Sequence, residues 1–447
     1  MTVTDSPYVG IDPATGRPAD PGPHALLVAP TGAGKSFGVL GPAIAMRPAH
    51  WPAIVVSSKD DLVHLTCADA LTRGPVRVLD LSGFAVLPDG GADWVRYDPT
   101  TALRGVDDAA DLATDLLRAG GVAAGAATGP SGDSAEWISR AIAPLAAILW
   151  AASDASAKAR RDAKSAGGIA AAVLTVGDVA RWKLAIDRLR ADPTAGTESA
   201  EAALTATAAL DAKLLGSVIA TMVPAVLPWT RLAVRPDEAI HTLGPRDLLT
   251  GTTYVISPGG PATGAAVALL TQSVLMWRRA TSAARAKGVA EPPPLLLVVD
   301  EVANTAPLPD LGRWVTEARG LGIRVLAAVQ TTAQLRERWG TAGGEVLERA
   351  FPSILALEGC ADQDVLETAA RNAGMVDRES VTTDADGRVI SRTKSHGPAL
   401  DASDLVVPQT TGPGPRRGRL IRGQFDAGLL DLPGYDVIMK WKAGQSK

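Results

Sequence analysis

Two hydrophobic rhythms alternate along the chain. Short apolar runs bounded by turn residues recur at His24 to Ala29, Ala53 to Ser57, Val76 to Asp80, Thr252 to Ser257, Leu295 to Val299, Ile323 to Val329 and Ile354 to Leu357, and each reads as a buried strand. Helical spacing follows Lys35 as far as Met46-Arg47-Pro48 and returns at Ala262 to Lys287 and Leu311 to Arg319. Strands alternating with helices predict parallel pairing with right-handed crossovers, so the fold class is α/β with a mainly parallel twisted sheet covered on both faces.

From about Asp107 to Ala239 strand signals nearly vanish, and Ala-rich segments take over at Ala135 to Ala152, Ile169 to Ala191 and Thr197 to Leu227. An inserted all-α domain over 107–239 accounts for this change, interrupting an α/β domain made of 24–106 and 240–447. Residues 1–23, polar and rich in Pro, Gly and Asp, read as a flexible leader without the apolar centre of a signal peptide. Gly120 to Asp133 reads as a mobile linker, and Asp377 to Pro398 as a hairpin around Asp386-Gly387.

Composition narrows the choice of partners. The net charge of -4, from 44 Lys+Arg and 48 Asp+Glu, excludes a protein that coats nucleic acid by charge alone, so any DNA contact must be local. Cys67 and Cys360 lie far apart without metal-type spacing and read as reduced thiols. The uncharged run Gly251 to Trp277 is long enough to span a bilayer, but Ser257-Pro258-Gly259-Gly260-Pro261 breaks it into a strand and a helix of the core.

The chemistry begins at Ala29-Pro30-Thr31-Gly32-Ala33-Gly34-Lys35-Ser36, a P-loop between the first strand and the first helix. Such a loop needs glycines, here Gly32 and Gly34, so that backbone N–H groups turn inward on a phosphate at a helix N-terminus. Ala29, Thr31, Gly32, Ala33, Gly34, Lys35 and Ser36 are therefore the expected ATP-binding residues, with Lys35 on the β- and γ-phosphates and the Ser36 hydroxyl on Mg²⁺. Ala29 stands where the usual pattern has its first glycine. Asp300 and Glu301 end the apolar run Pro294 to Val299 and would be delivered to the carboxyl edge of the sheet, where such sheets bind ligands. Asp300 is assigned to Mg²⁺ and Glu301 to the attacking water.

These motifs, together with Ser57-Ser58-Lys59-Asp60-Asp61-Leu62 and three later blocks, resemble the type IV secretion coupling proteins, the TraG/TraD-like ATPases grouped with the FtsK and HerA motors. The blocks are Asp300 to Leu311, Glu317-Ala318-Arg319-Gly320-Leu321-Gly322-Ile323-Arg324, and Val329-Gln330-Thr331-Thr332-Ala333-Gln334-Leu335. The resemblance implies a RecA-like nucleotide-binding domain and ATP-driven movement of DNA, single-stranded during transfer, by a homo-hexamer. It further implies that Arg319 is an arginine finger toward a neighbouring subunit's nucleotide and that Gln330 senses the γ-phosphate. A relaxase–DNA complex and the ATPases of the secretion channel, or a membrane anchor protein, are the implied partners. The paired N-terminal membrane helices of typical relatives do not occur in this sequence. The resemblance therefore leads us to expect a cytoplasmic protein peripheral to the inner face of the membrane through those partners.

Direct sequence support for DNA contact is modest. Lys158, Arg160, Arg161 and Lys164 cluster in the helical segment and Arg416, Arg417, Arg419 and Arg422 in the tail, but no basic and aromatic stripe offers a stacking platform. Two alternatives stay open at this stage: a nucleotide-gated adaptor that recruits a relaxase or effectors, and a DNA pump outside conjugation.

Overall fold

The computed structural model describes residues 6–123, 133–161, 167–232, 240–244, 246–317, 320, 322–360, 362–383, 388–410, 414–422 and 426–445. Its strands are β1 (Ile11–Asp12), β2 (Arg17–Pro18), β3 (His24–Val28), β4 (Ala53–Ser57), β5 (Val76–Asp80), β6 (Asp93–Tyr97), β7 (His241–Leu243), β8 (Thr252–Ile256), β9 (Leu295–Val299), β10 (Ile323–Val329), β11 (Ser353–Leu357), β12 (Met375–Thr383), β13 (Val389–Pro398), β14 (Arg416–Arg422) and β15 (Asp426–Leu432). All but β12 and β13 form one 13-stranded sheet in the order β2-β1-β15-β14-β11-β3-β10-β9-β4-β8-β5-β6-β7. From β11 to β7 every pairing is parallel, and β14, β15, β1 and β2 add an antiparallel edge.

The seven runs expected as strands are the central parallel strands, and their continuous apolar character follows from burial on both faces. Alternation within each strand divides the side chains between two cores. Leu26 and Val28 of β3 face one core, and Ala25 and Leu27 the other. The second core is closed by α1 (Gly41–Met46), α2 (Asp61–Leu71) and a final helix, Tyr435–Gln445.

The first core continues without a break into a helical bundle between β6 and β7: α3 (Val106–Ala123), α4 (Asp133–Ala152), α5 (Asp154–Ala159), α6 (Gly168–Val176), α7 (Val179–Arg190), α8 (Thr197–Ala208) and α9 (Ala212–Leu232). Two of the long helices expected here are each split by an aspartate that caps a new start. Asp178 accepts from the Ala180 amide at 3.0 Å, and Asp211 from the amides of Lys213 and Leu214 at 3.0 and 3.1 Å. By length and composition α9 is the one helix among the described residues that could cross a membrane; here Met222, Ala225, Val226 and Trp229 are buried in the core.

The remaining helices are α10 (Thr263–Lys287), α11 (Val302–Thr305), α12 (Leu311–Glu317), α13 (Ala333–Ala350), α14 (Gln363–Asn372) and α15, the closing Tyr435–Gln445. β8 and α10 divide the long uncharged run as its prolines and glycines foretold. The polar stretch 375–398 is the antiparallel pair β12–β13, whose turn at 384–387 lies outside the described residues. Of the expected linker, 124–132 lies outside them too, while α3 extends to Ala123.

The expectation of a flexible leader fails from Ser6 onward. Tyr8 and Val9 are buried, Ile11 pairs with Asp431 of β15, and the Ser6 hydroxyl donates to Asp20 at 2.6 Å. A segment with few apolar residues is held here by strand pairing, whose partner lies at the far end of the chain. Cys67 and Cys360 are both buried free thiols.

Candidate nucleotide site

The registers of the central strands bring the candidate residues together. Val28 of β3 lies opposite Val329 of β10, and Val299 of β9 opposite Ala327, so Ala29, Asp300 and Gln330 leave the same carboxyl edge on adjacent strands. Ala29 still belongs to the sheet: it is fully buried and its amide donates to the Val329 carbonyl at 3.0 Å. Positive φ is confined among the described non-glycine residues to Arg161 and Glu301, so Ala29 does not require the freedom of a glycine. Gly32 and Gly34, at φ 82° and 81°, do require it.

Lys35 is buried and points at the acid pair. Its Nζ lies 3.6 Å from Asp300 Oδ1 and 3.9 Å from Glu301 Oε1. Neither Lys35 Nζ nor Asp300 Oδ1 makes a hydrogen bond, although both atoms are buried. Burial pushes the Asp300 carboxyl above its ordinary range; Lys35 opposes this, and Glu301 and Asp61 reinforce it. An ammonium and a carboxylate held this way form a cradle with bonding capacity to spare, which suits a metal-bound phosphate.

Glu301 adopts the left-handed conformation at φ 52° and begins α11, where its carbonyl accepts from the amides of Asn304 and Thr305 at 2.7 and 2.9 Å. A non-glycine residue held there is a local strain of the kind found at functional sites. Its Oε1 accepts from Gln330 Nε2 at 3.1 Å, so the two residues expected to handle water and the γ-phosphate are in direct contact. Ser36 Oγ donates to Asp61 Oδ2 at 3.3 Å.

Asp61 is a third carboxylate that the sequence reading placed in a motif without giving it a role. It also lies 3.5 Å from Ser57 Oγ and contributes to the raised pKa of Asp300. Asp362 was missed altogether. It accepts from Thr331 Oγ1, the Thr332 amide and Thr332 Oγ1 at 3.0, 2.6 and 3.1 Å, and so pins the turn that follows Gln330. Its signal was weak, since a lone aspartate after a strand is common. Arg319 lies outside the described residues.

The basic clusters divide differently. Lys158 and Arg161 are exposed, Arg160 turns back to Ser156, and Lys164 lies outside the described residues. In the tail, Arg416 donates to the Gly32 carbonyl at 3.0 Å, Arg417 lies 3.8 Å from Asp431, and Arg419 donates to the Leu405 and Asp404 carbonyls at 2.8 and 3.1 Å. The Arg422 side chain is not among those described.

No curated protein matches the chain. Residues 294–409 match the family model described as the TraM recognition site of TraD and TraG. Among solved structures, the bacterial conjugative coupling protein TrwBdeltaN70 in its unbound monoclinic form is similar with a TM-score of 0.63 and 16% identity, over 96% of this chain and 88% of that one. The plasmid coupling protein TrwB in complex with ADP and Mg²⁺ is similar with a TM-score of 0.59 and 15% identity, over 96% and 89%. Its complex with the non-hydrolysable ATP analogue ADPNP gives 0.57 and 16%, over 95% and 89%. Residues 294–409 are thus similar to the TraM recognition site of TraD and TraG, and nearly the whole length of the chain takes the fold seen in the coupling-protein structures.

Proposed function

We propose that this chain is an ATP-hydrolysing DNA translocase serving as the coupling protein of a conjugative type IV secretion system. The observation that carries the reading is the buried Lys35–Asp300 pair, whose Nζ and Oδ1 atoms make no hydrogen bond, flanked by a Glu301 carboxylate bonded to Gln330. The complexes of TrwB with ADP and Mg²⁺ and with ADPNP support ATP and Mg²⁺ as the cofactors here.

In this reading the amides of Thr31, Gly32, Ala33 and Gly34 hold the phosphates, with Ala29 closing the loop on the sheet. Lys35 binds the β- and γ-phosphates, and Ser36 and Asp300 hold Mg²⁺, with Asp61 bonded to the serine. Mg²⁺, when bound, neutralises charge on the transferred phosphate. Glu301 orients the attacking water and accepts its proton at the carboxylate, and Gln330 fixes that carboxylate and reports the γ-phosphate. Arg319 completes the site of a neighbouring copy, which makes the working form a ring, a homo-hexamer by the resemblance.

The helical segment 107–239, as an inserted domain within 24–106 and 240–447, faces the DNA or the relaxase–DNA complex. The protein sits at the inner face of the membrane through the secretion channel ATPases or an anchor protein.

Purified protein under assembling conditions should hydrolyse ATP faster when single- or double-stranded DNA is added. Equal rates with and without DNA would sink the translocase and favour the adaptor. In the same assay, mixed Lys35→Ala and Arg319→Ala subunits should regain activity, and no recovery at any ratio would remove the trans role of Arg319.

A further inference from the structure

The tail arginines are not one basic patch. β14 runs antiparallel to β11 with Gly418 opposite Leu357, and β11 runs parallel to β3 with Ala356 opposite Val28. Arg416 therefore stands just past the carboxyl end of β11, level with the P-loop as it leaves β3. Its Nη1 donates to the Gly32 carbonyl at 3.0 Å, and the same nitrogen lies 2.7 Å from where a Cβ on Gly34 would stand. The guanidinium thus rests on the turn of the loop.

Glu358, just after β11, fixes this placement. Its carboxylate accepts from the Arg417 amide at 2.8 Å and from the Thr410 hydroxyl. Burial acts to raise the Glu358 pKa, but these hydrogen bonds and the nearby Arg416 charge hold it below the ordinary carboxylate range. Arg416 enters from the opposite flank to Gln330 and Glu301, since β11 and β10 lie on either side of β3.

A P-loop binds an anion only while its amides converge, which requires its carbonyls to turn away. A guanidinium that takes the Gly32 carbonyl holds the loop in that state and adds positive charge beside it. We infer that Arg416 is a positioning residue of the nucleotide site, acting within its own subunit to hold the P-loop ready for phosphate and tying it to the C-terminal hairpin β14–β15. This inference rests on the nucleotide-binding reading above.

The test compares the wild-type chain with Arg416→Ala, Arg416→Lys and Lys35→Ala, measuring calorimetric affinity for ATP and inorganic pyrophosphate, the ligand-free thermal midpoint, and the steady-state constants. Arg416→Ala should keep the wild-type midpoint and lose about tenfold in affinity for both ligands, as expected for one charge-assisted hydrogen bond. Its KM should rise by more than its kcat falls, and Arg416→Lys should lose less. Wild-type affinity in Arg416→Ala overturns the inference, as does a lowered ligand-free midpoint that accounts for the loss. Weakening toward ATP but not pyrophosphate also overturns it, because the arginine would then serve the base or sugar. If the wild-type chain shows no Lys35-dependent binding, the nucleotide reading itself fails and this inference falls with it.

Discussion

Replacing Lys35 by methionine should destabilise the ligand-free protein, and by an amount that depends on pH. Lys35 Nζ lies 3.6 Å from Asp300 Oδ1 with both side chains 9% exposed, and 3.9 Å from Glu301 Oε1, whose side chain is 25% exposed. At an effective dielectric constant of about 20, a pair at this spacing attracts by about 4–5 kcal/mol before desolvation is counted. Methionine fills the space without the charge and leaves Asp300 buried beside Glu301 and Asp61. Burial first, then those two carboxylates, already raise its pKa.

Asp300 relieves the cost by taking a proton, so the net loss at pH 8 should be about 3 kcal/mol, the low end for breaking a buried pair. The sign follows from linkage. For a carboxyl whose folded pKa is raised, the penalty is absent below the unfolded value of roughly 4 and grows until the pH passes the folded value. Urea denaturation at pH 5 to 8 should show Lys35→Met losing more at pH 8 than at pH 5, and Asp300→Asn in the same chain should restore most of the difference. A loss that is equal at both ends of that range, or that adds simply to the Asp300→Asn effect, would refute the reasoning.

Gln330→Ala should lower kcat by roughly 10- to 100-fold with a much smaller change in KM, since it frees the Glu301 carboxylate and, in the proposed reading, removes the group that reports the γ-phosphate; a kcat within twofold of wild type would separate Gln330 from the chemistry. Asp115 of α3 has its pKa raised to about 7, by burial first and then by Asp310, with Arg118 and Arg313 opposing and Asp111 adding to it. Stability should therefore fall as pH rises from roughly 4 toward about 7, and Asp115→Asn should flatten that part of a thermal-midpoint profile; an unchanged slope in the variant would place the titration elsewhere.

The central sheet was legible because its strands are buried on both faces and so appear as unbroken apolar runs. The edge was not. β14 reads Arg416-Arg417-Gly418-Arg419-Leu420-Ile421-Arg422, and its inward Gly418 and Leu420 lie among four arginines and Ile421. The arginines dominate that stretch, so it read as a charge cluster. β1 and β2 carry almost no apolar signal: β1 pairs with β15 and β2 with β1, and the side chains buried beside them, Tyr8 and Val9, precede the strands. At the site, the P-loop pattern marks Lys35, the apolar run before them marks Asp300 and Glu301, and the family resemblance marks Gln330. Asp61 and Asp362 act through hydroxyls and amides that are distant in sequence, and only the folded chain shows those contacts.

The same division bears on how the site works. Lys35, Asp300, Glu301 and Gln330 follow three neighbouring parallel strands, β3, β9 and β10, whose registers fix them relative to one another. Glu301 is further held by a left-handed backbone pinned at Asn304 and Thr305. A constellation over-determined in this way is preorganised and has little room to respond to its ligand. Response must then come from groups on elements that are less constrained. Arg416 lies outside that constellation: it is exposed, and its strand β14 pairs antiparallel with β11 and β15. The strand-end centre would set the chemistry, and the edge arginine would link the P-loop to the β14–β15 hairpin.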